Sequence, residues 1–223
     1  MTGPTSDDIR AKREFIDAYF DERKKKIAFL AQLYEEGHEL YEEGHEDEAR
    51  TLCLVYIDGI SNFLHLPDTN SARKFSKALT QFGGNTELFS LVRSGWLMKA
   101  LPLKSAPKGL EAALCAAHST MTDDEWLLPS DYLASVQPQL SPEHFRWVEA
   151  ELWRGSIANA VYTTLRSPGV HWGGLSYGLS FGSKFKGKEI PRIDFDNLHA
   201  ALVALATHAR KVSEETGEWF GVS

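Results

Sequence analysis

Long apolar runs are missing from this chain, and cysteine is scarce. No stretch approaches the roughly 20 consecutive apolar residues that a membrane-spanning helix needs, and the N-terminal residues MTGPTSDDIRAKREF lack the apolar core of a signal peptide. We therefore expect a cytoplasmic protein that makes no membrane contact. Cys53 and Cys115 are the two cysteines, and both lie in apolar helical sequence, which favours buried, reduced thiols over a disulfide or a metal site.

Positive charge is also in short supply. The 223 residues carry 24 Lys and Arg against 31 Asp and Glu, a net charge of −7, which argues against broad, non-specific binding to a polyanion. The shortage is uneven: residues 151–223 have 8 basic against 7 acidic side chains, and residues 1–150 have 16 against 24. An anion-binding site is therefore expected in the last third of the chain.

Apolar residues that repeat at helical spacing are abundant. With 43% hydrophobic and 25% charged residues, the chain has the balance of a soluble globular protein. Steps of three, four and seven predict a long helix over residues 7–43 with one buried face. That face consists of Ile9, Ile16, Phe20, Ile27, Leu30, Tyr34 and Tyr41.

A second helix is predicted from Glu46 to just before Pro67, lying antiparallel to the first because the connection is tight. Gly37 and Gly44 are candidate helix stops between them. Through the middle of the chain the pattern predicts short helices over 71–82, 86–100 and 108–120. A further helix is expected from Thr122, where Glu125 completes a capping box.

Two longer helices are predicted in the C-terminal third. The first has Ser141 as its N-cap and runs without interruption to Arg166, and the second begins at Asp194 or Asp196. Between them, residues 175–181 alternate apolar with small side chains, which predicts a half-buried strand that continues into a small hairpin.

These patterns predict one domain over residues 1–223 with a mainly all-α fold. The expected architecture is an antiparallel helical bundle with a small β-hairpin before the last helix. Residues 70–140 are interpreted as a helical insertion or elaboration of that bundle.

The repeated YEEGHE unit places His38 and His45 among several glutamates and suggests a metal site. Seven residues are two helical turns, a rise of about 10–11 Å, which is too far for one ion if the segment stays helical. A solvated turn is the stronger interpretation, and we expect neither a metal nor a cofactor.

Asp58 lies within the apolar sequence LVYIDGISNF, and an aspartate there is costly to bury without a partner. One interpretation is an interhelical salt bridge. The other is a carboxylate that orients a catalytic arginine.

Arg166 and His171 flank the sequence Ser-Pro-Gly-Val. In a continuous helix the two side chains would point about 140° apart around the axis. Pro168 disfavours helix at Ser167 and Gly169 permits a tight turn, so the chain can fold His171 back beside the helix end. An ordinary helix stop with a basic residue in its last turn explains the same residues.

An arginine followed by four residues and a histidine, at the end of the penultimate helix of such a bundle, resembles the HEPN superfamily. The shared pattern is EEGHEDEARTLCLVYIDGISNFL as the hairpin turn and second helix, and AVYTTLRSPGVHW as the motif helix, and the resemblance covers roughly residues 7–66 and 143–215. Residues 70–140 have no counterpart in it. Ser167 also departs from the family, which usually has Asn, Asp or His directly after the arginine.

The resemblance implies a metal-independent endoribonuclease that acts as a homodimer, in toxin or phage-defence biology, with an antitoxin or other regulatory protein as a partner. Arg166 would stabilise the phosphate, His171 would be the general acid and base, and Asp58 would orient one of them. Two alternatives stay open: a non-catalytic dimeric HEPN-like module that binds a nucleotide or a protein, and a purely structural helical domain.

Lysines cluster just after the motif and are interleaved with aromatic residues, which is how single-stranded RNA is commonly held. The equally weighted alternative is that the lysines protect an exposed strand edge. The candidate RNA-binding residues are Trp172, Lys184, Lys186, Lys188 and Arg192.

Overall fold

The computed structural model describes residues 6–121, 125–166, 184–190 and 192–221, and the protein is mostly helical. The prediction of a mainly all-α fold is confirmed. The α-helices are α1 (Ser6–Glu42), α2 (Glu46–Phe63), α3 (Ser71–Phe82), α4 (Thr86–Ser90), α5 (Ser94–Ala100), α6 (Leu110–His118), α7 (Pro129–Val136), α8 (Pro142–Glu151), α9 (Ile157–Val161) and α10 (Phe195–Thr216).

Helices α1, α2 and α10 pack together as the centre of the fold. A tight turn with Gly44 at φ +87° reverses the chain between α1 and α2, and this left-handed conformation suits glycine. Helix α10 runs antiparallel to α1: Phe195 stacks on Tyr41 at 4.2 Å between ring centroids, and Arg23 pairs with Glu214 at 3.0 Å near the other end.

The N-terminal half of α1 differs from the predicted buried face. Phe15 is 73% exposed and Tyr19 58% exposed, whereas Leu30 and Leu33 are buried. Predicted face residues Ile16 and Phe20 are also exposed, at 49% and 48%. Helix α1 has 37 residues, against 18 in α2 and 22 in α10. The two shorter helices therefore cannot cover its full length.

Two apolar cores are present in the part of the chain that the structure describes. The larger is formed mainly by α1, α2, α3, α9 and α10 and includes Ile57, Phe75 and Leu202. The smaller includes Val92 and Tyr132. Its other buried members are Leu97, Leu101, Leu110, Leu114, Ala117, Val136, Val148 and Leu152.

Backbone pairing breaks up two of the helices predicted in the middle of the chain. Val92 and Leu127 each donate a backbone hydrogen bond to the other at 2.9 Å, so the predicted helix over 86–100 divides into α4 and α5. The predicted helix from Thr122 is wrong for the same reason. Glu125 lies outside any helix, and α7 begins only at Pro129.

The predicted continuous helix from Ser141 to Arg166 is also wrong. Ser141 does cap α8, but α8 ends at Glu151, and a short 3₁₀ turn over Leu152–Gly155 follows. Ser156 then caps α9 by accepting from the Asn159 backbone N–H at 3.1 Å. Gly155 permits this break, because a Cβ there would lie 2.7 Å from Leu97 Cβ.

The segment before α10 contains a short antiparallel pair of strands, β1 (Lys184–Phe185) and β2 (Lys188–Glu189). Lys186 and Gly187 form the turn with φ values of +49° and +76°, the conformation of a tight hairpin turn. The strand predicted over 175–181 lies outside the described residues. Asp194 caps α10, as one of the two predicted positions.

The cysteines differ from each other. Cys53 is buried as predicted, but Cys115 is exposed, which corrects that prediction, and both thiols are free.

Across the helices of the described ranges, none has the length and apolar character needed to cross a membrane.

Candidate functional site

Asp58 on α2 and Arg166, in the π-helical turn that follows α9, lie against each other. Arg166 Nη2 donates to Asp58 Oδ2 at 2.6 Å. The two side chains are 19% and 13% exposed, respectively. A charge-assisted bond this short in a partly buried setting fixes the position of the guanidinium.

An aromatic ring contacts the arginine, and a second ring packs against the first. The Arg166 guanidinium lies over the Tyr162 ring, 5.2 Å from its centroid, within the range of a cation–π contact. Tyr162 in turn meets Phe75 of α3 edge to face at 5.3 Å. The arginine is therefore held by a carboxylate and a stacked ring.

The pair leaves one donor and one acceptor unused. Arg166 Nε and Asp58 Oδ1 are both buried, and neither has a hydrogen-bond partner among the residues that the structure describes. Buried polar groups without a partner are uncommon and mark places where a ligand or water completes the bonding. The pair therefore offers an N–H and a carboxylate oxygen to a bound group.

A π-helical turn over Tyr162–Arg166 places the arginine. Ahead of it, the buried amide of Asn159 donates to the Arg154 carbonyl at 2.8 Å, and Thr163 Oγ1 donates back to the Asn159 carbonyl at 2.9 Å. Turns of this kind occur within helices at functional sites. The apolar spacing of the preceding residues gave no signal for it.

His171, the second residue of the predicted motif, lies outside the described residues, and so does Trp172. The position of the histidine relative to Arg166 is therefore not part of the geometry above. Two polar residues near Asp58 in the sequence have partners elsewhere: Ser61 of α2 donates to the Ile57 carbonyl of its own helix, and His65, just after α2, pairs with Glu218 at 3.1 Å.

Two of the predicted RNA-binding lysines line a cleft of about 460 Å³ between α4 and the strand pair. Lys186 and Lys188 are exposed there, and Lys186 Nζ lies 4.7 Å from the centroid of the Phe185 ring. Lys184 pairs through its backbone with Glu189, and Arg192 is exposed. The remaining lining residues are Asn85, Glu87, Leu88, Leu91 and Ile190.

Asn85 and Glu87 of this cleft were not found from the sequence. They precede the lysines by about 100 residues, in a segment where the pattern predicted only a short helix. The one available signal was local: Asn85 is the N-cap of α4 and accepts from the Leu88 backbone N–H at 3.3 Å.

The two histidines of the repeated YEEGHE unit are separated by the turn between α1 and α2. His38 lies 5.5 Å from His199 between ring centroids and 4.0 Å from Glu42, while His45 is exposed. Within the described ranges no three His, Cys, Asp or Glu side chains come together as a metal site would require.

Comparison with known proteins gives no relative: no family model, no curated protein and no solved structure matches the chain. The resemblance to the HEPN superfamily stays a prediction from the sequence.

Proposed function

We propose that this protein is a metal-independent endoribonuclease of HEPN type. The observation that carries the proposal is the bond between Arg166 and Asp58, which holds a guanidinium at a fixed place while its Nε–H stays unpartnered. An anchored arginine with a free donor is suited to stabilise charge on a phosphate.

The proposed reaction uses the RNA as its own nucleophile. The 2′-hydroxyl loses its proton to a base, and its oxygen attacks the adjacent phosphorus. The bond from phosphorus to the 5′-oxygen breaks, and that oxygen takes up a proton, which leaves a 2′,3′-cyclic phosphate and a 5′-hydroxyl. In this proposal His171 transfers the protons, since imidazole titrates near neutral pH, and Arg166 stabilises the phosphorane.

The lysine-lined cleft supplies a place for the RNA chain. Its volume of about 460 Å³ is in the range of small-ligand sites. Phe185, Leu88 and Leu91 provide apolar walls for a base, and Lys186 and Lys188 provide charge for the backbone. The four lysine and arginine residues predicted from the sequence, together with Trp172, remain the proposed RNA-binding set.

The test is cleavage of a single-stranded RNA in the presence of EDTA. Arg166→Ala and His171→Ala are each expected to lower the rate by at least about a hundredfold, and the products should carry 2′,3′-cyclic phosphate ends. The matched controls are Arg146→Ala and His45→Ala, which remove the same side chains from exposed positions. An Arg166→Ala or His171→Ala protein with full activity contradicts the proposal.

Loss of the Arg166 side chain also removes the partner of Asp58, so a fall in activity must be separated from unfolding. Arg166→Lys keeps the positive charge beside Asp58 but loses the planar fork that a phosphate needs. It is expected to fold and to be inactive. A substrate with a 2′-deoxy nucleotide at the cleavage position should resist the wild-type enzyme.

A second candidate function is a non-catalytic dimeric HEPN-like module that binds a nucleotide or a protein partner. The observation that favours it is the low exposure of Arg166, whose side chain is only 19% exposed and is already bonded to Asp58. This candidate predicts RNA binding without cleavage, with and without Mg²⁺, and motif variants that change binding or stability alone. The partners in either case are RNA, a second copy of the chain and, as the resemblance implies, an antitoxin or other regulatory protein.

A further inference from the structure

A small cavity lies where the two apolar cores meet, and it has no part in the proposed function. Its volume is about 180 Å³. Val92 and Leu152 of the smaller core line it together with Ser76 of α3, whose neighbour Phe75 belongs to the larger core. The remaining lining residues are Lys77, Thr80, Ser90, Pro129, Trp153 and Ser156.

Two polar groups of this lining have no hydrogen-bond partner within the described part of the chain. Ser76 Oγ and Trp153 Nε1 are both buried and unpaired, and Ser76 as a whole is only 1% exposed. Buried hydroxyl and indole N–H groups almost always find an acceptor. Both residues line the cavity, so a molecule bound in it is a candidate for the missing acceptor.

The other hydroxyl groups of the lining are already used. Ser90 Oγ donates to the Glu87 carbonyl at 2.8 Å, Thr80 Oγ1 to the Ser76 carbonyl at 2.9 Å, and Ser156 Oγ to the Trp153 carbonyl at 2.7 Å. A single water molecule could accept from both donors, but it occupies only about 30 Å³ and would leave most of the cavity unfilled. An apolar body that carries one acceptor atom would fill the space and use both donors.

Positive charge near Trp153 strengthens this preference for an acceptor. Two guanidinium groups lie near the Trp153 ring, with Arg154 at 4.6 Å and Arg73 at 5.9 Å from the ring centroid. Both arginines are paired with carboxylates, Arg154 with Glu151 and Arg73 with Asp68. Asp68 also pairs with Lys77, which lines the cavity, so three cations share two carboxylates and the surroundings keep one excess positive charge, which favours the partial negative charge of an acceptor oxygen.

We propose that this cavity is a binding site for a compact, mostly apolar molecule with a carbonyl oxygen, held by the Trp153 indole N–H and the Ser76 hydroxyl. Its volume fits a single substituted ring, because an engineered apolar cavity of about 150 Å³ holds benzene. A molecule bound there would lie where the two apolar cores meet.

The test uses two probes of the same skeleton, acetophenone and ethylbenzene, which differ in the carbonyl oxygen. Each is titrated into the full-length ¹⁵N-labelled protein while the tryptophan indole N–H resonances are followed, with Trp153→Phe assigning the Trp153 signal. Acetophenone is expected to shift that signal saturably, and ethylbenzene to bind at least about threefold more weakly. Equal affinities overturn the proposed role of the carbonyl oxygen, and the absence of a saturable shift of the Trp153 signal overturns the binding site itself.

Ser76→Ala and Ser90→Ala form a matched pair, since both serines line the cavity and only Ser76 is unpaired. Ser76→Ala removes an unsatisfied hydroxyl and should fold normally. It is expected to weaken acetophenone binding about two- to tenfold, while Ser90→Ala leaves it within twofold. An equal effect of the two substitutions contradicts the assignment of Ser76. Arg166→Lys is expected to bind acetophenone normally, which separates this site from the proposed ribonuclease activity.

Discussion

Asp58 and Arg166 are 108 residues apart in the sequence, and a single hydrogen bond of 2.6 Å joins them in the structure. Only one of the two carboxylate oxygens and one guanidinium nitrogen take part. The remaining Asp58 Oδ1 and Arg166 Nε are buried without a partner. The contact thus combines a structural role between α2 and the motif helix with unused bonding capacity.

Breaking this pair should destabilise the fold. Asp58→Asn and Arg166→Leu are each expected to lower the free energy of unfolding by about 1–3 kcal/mol, because either change leaves a partly buried group without its partner. The double variant should lose less than the two single losses combined. Urea denaturation measures all three, and Glu214→Gln, in a more exposed pair with Arg23 and Arg210, should change stability by about 0.5 kcal/mol or less.

Gly155 is expected to tolerate no side chain. Ala at this position would place its Cβ 2.7 Å from Leu97 Cβ and 2.9 Å from Val92 Cγ1, so Gly155→Ala should cost about 1–3 kcal/mol through overpacking. Gly95→Ala is the control, since a Cβ at Gly95 meets nothing within 4 Å. In helix α5 that change should be neutral or stabilise by up to about 1 kcal/mol. Thermal unfolding distinguishes the two, and a stable Gly155→Ala protein would contradict the close packing.

The two thiols should react at different rates. Burial raises the pKa of Cys53 from its ordinary 9.0 to about 12, so at pH 8 its thiol stays protonated and unreactive, whereas Cys115 is exposed. A disulfide reagent such as DTNB should modify one thiol quickly and the second only after unfolding. In a Cys115→Ser protein the rapid phase should disappear, and its persistence would show that Cys53 is accessible.

The same raised pKa has a consequence for stability at high pH. Above about pH 9 the Cys53 thiol ionises in the unfolded chain but stays protonated in the folded chain. The free energy of unfolding therefore falls progressively between pH 9 and pH 12. Cys53→Ala should flatten that part of the stability profile. Unfolding midpoints in urea at pH 8 and pH 10 provide the measurement.

The lysine-lined cleft should contribute to RNA affinity through charge. Lys188→Glu is expected to weaken binding to single-stranded RNA about three- to tenfold and to lower the slope of log affinity against log salt concentration by about 1. Lys104→Glu makes the same charge change at an exposed position outside the cleft. If both variants lose affinity equally, the effect reflects net charge and the cleft is not the binding place.

Local signals in the sequence predicted the fold well where a helix is delimited by its own residues. The predicted range 71–82 coincides with α3, which Asn70 caps through the Arg73 backbone N–H, and Asp194 caps α10. The first helix was placed within one residue at each end. Caps and apolar spacing are properties of neighbouring residues, so they can be read without knowledge of the tertiary structure.

Contacts between distant residues explain the failures. The break at Val92 depends on Leu127, and the break at Gly155 depends on Leu97, although the Gly155-Ser156 pair was itself an available cap signal. Likewise, helical spacing has the same form for an exposed stripe as for a buried one, so exposed Phe20 could not be told from buried Leu30. The contact of Asp58 with Arg166 agrees both with an interhelical salt bridge and with a carboxylate that orients a catalytic arginine, so it does not distinguish the two.

Because of the π turn at Tyr162–Arg166, the effect of deleting one residue depends on where the deletion lies. A π turn holds one residue more than an α turn, so this stretch carries one residue more than a continuation of α9 as regular α-helix would need. Loss of Thr163, which is exposed, can be absorbed by closing the turn to regular α-helix with Leu165 still buried. Loss of a residue from the regular turns of α9 would instead rotate Arg166 by about 100° around the axis and separate it from Asp58.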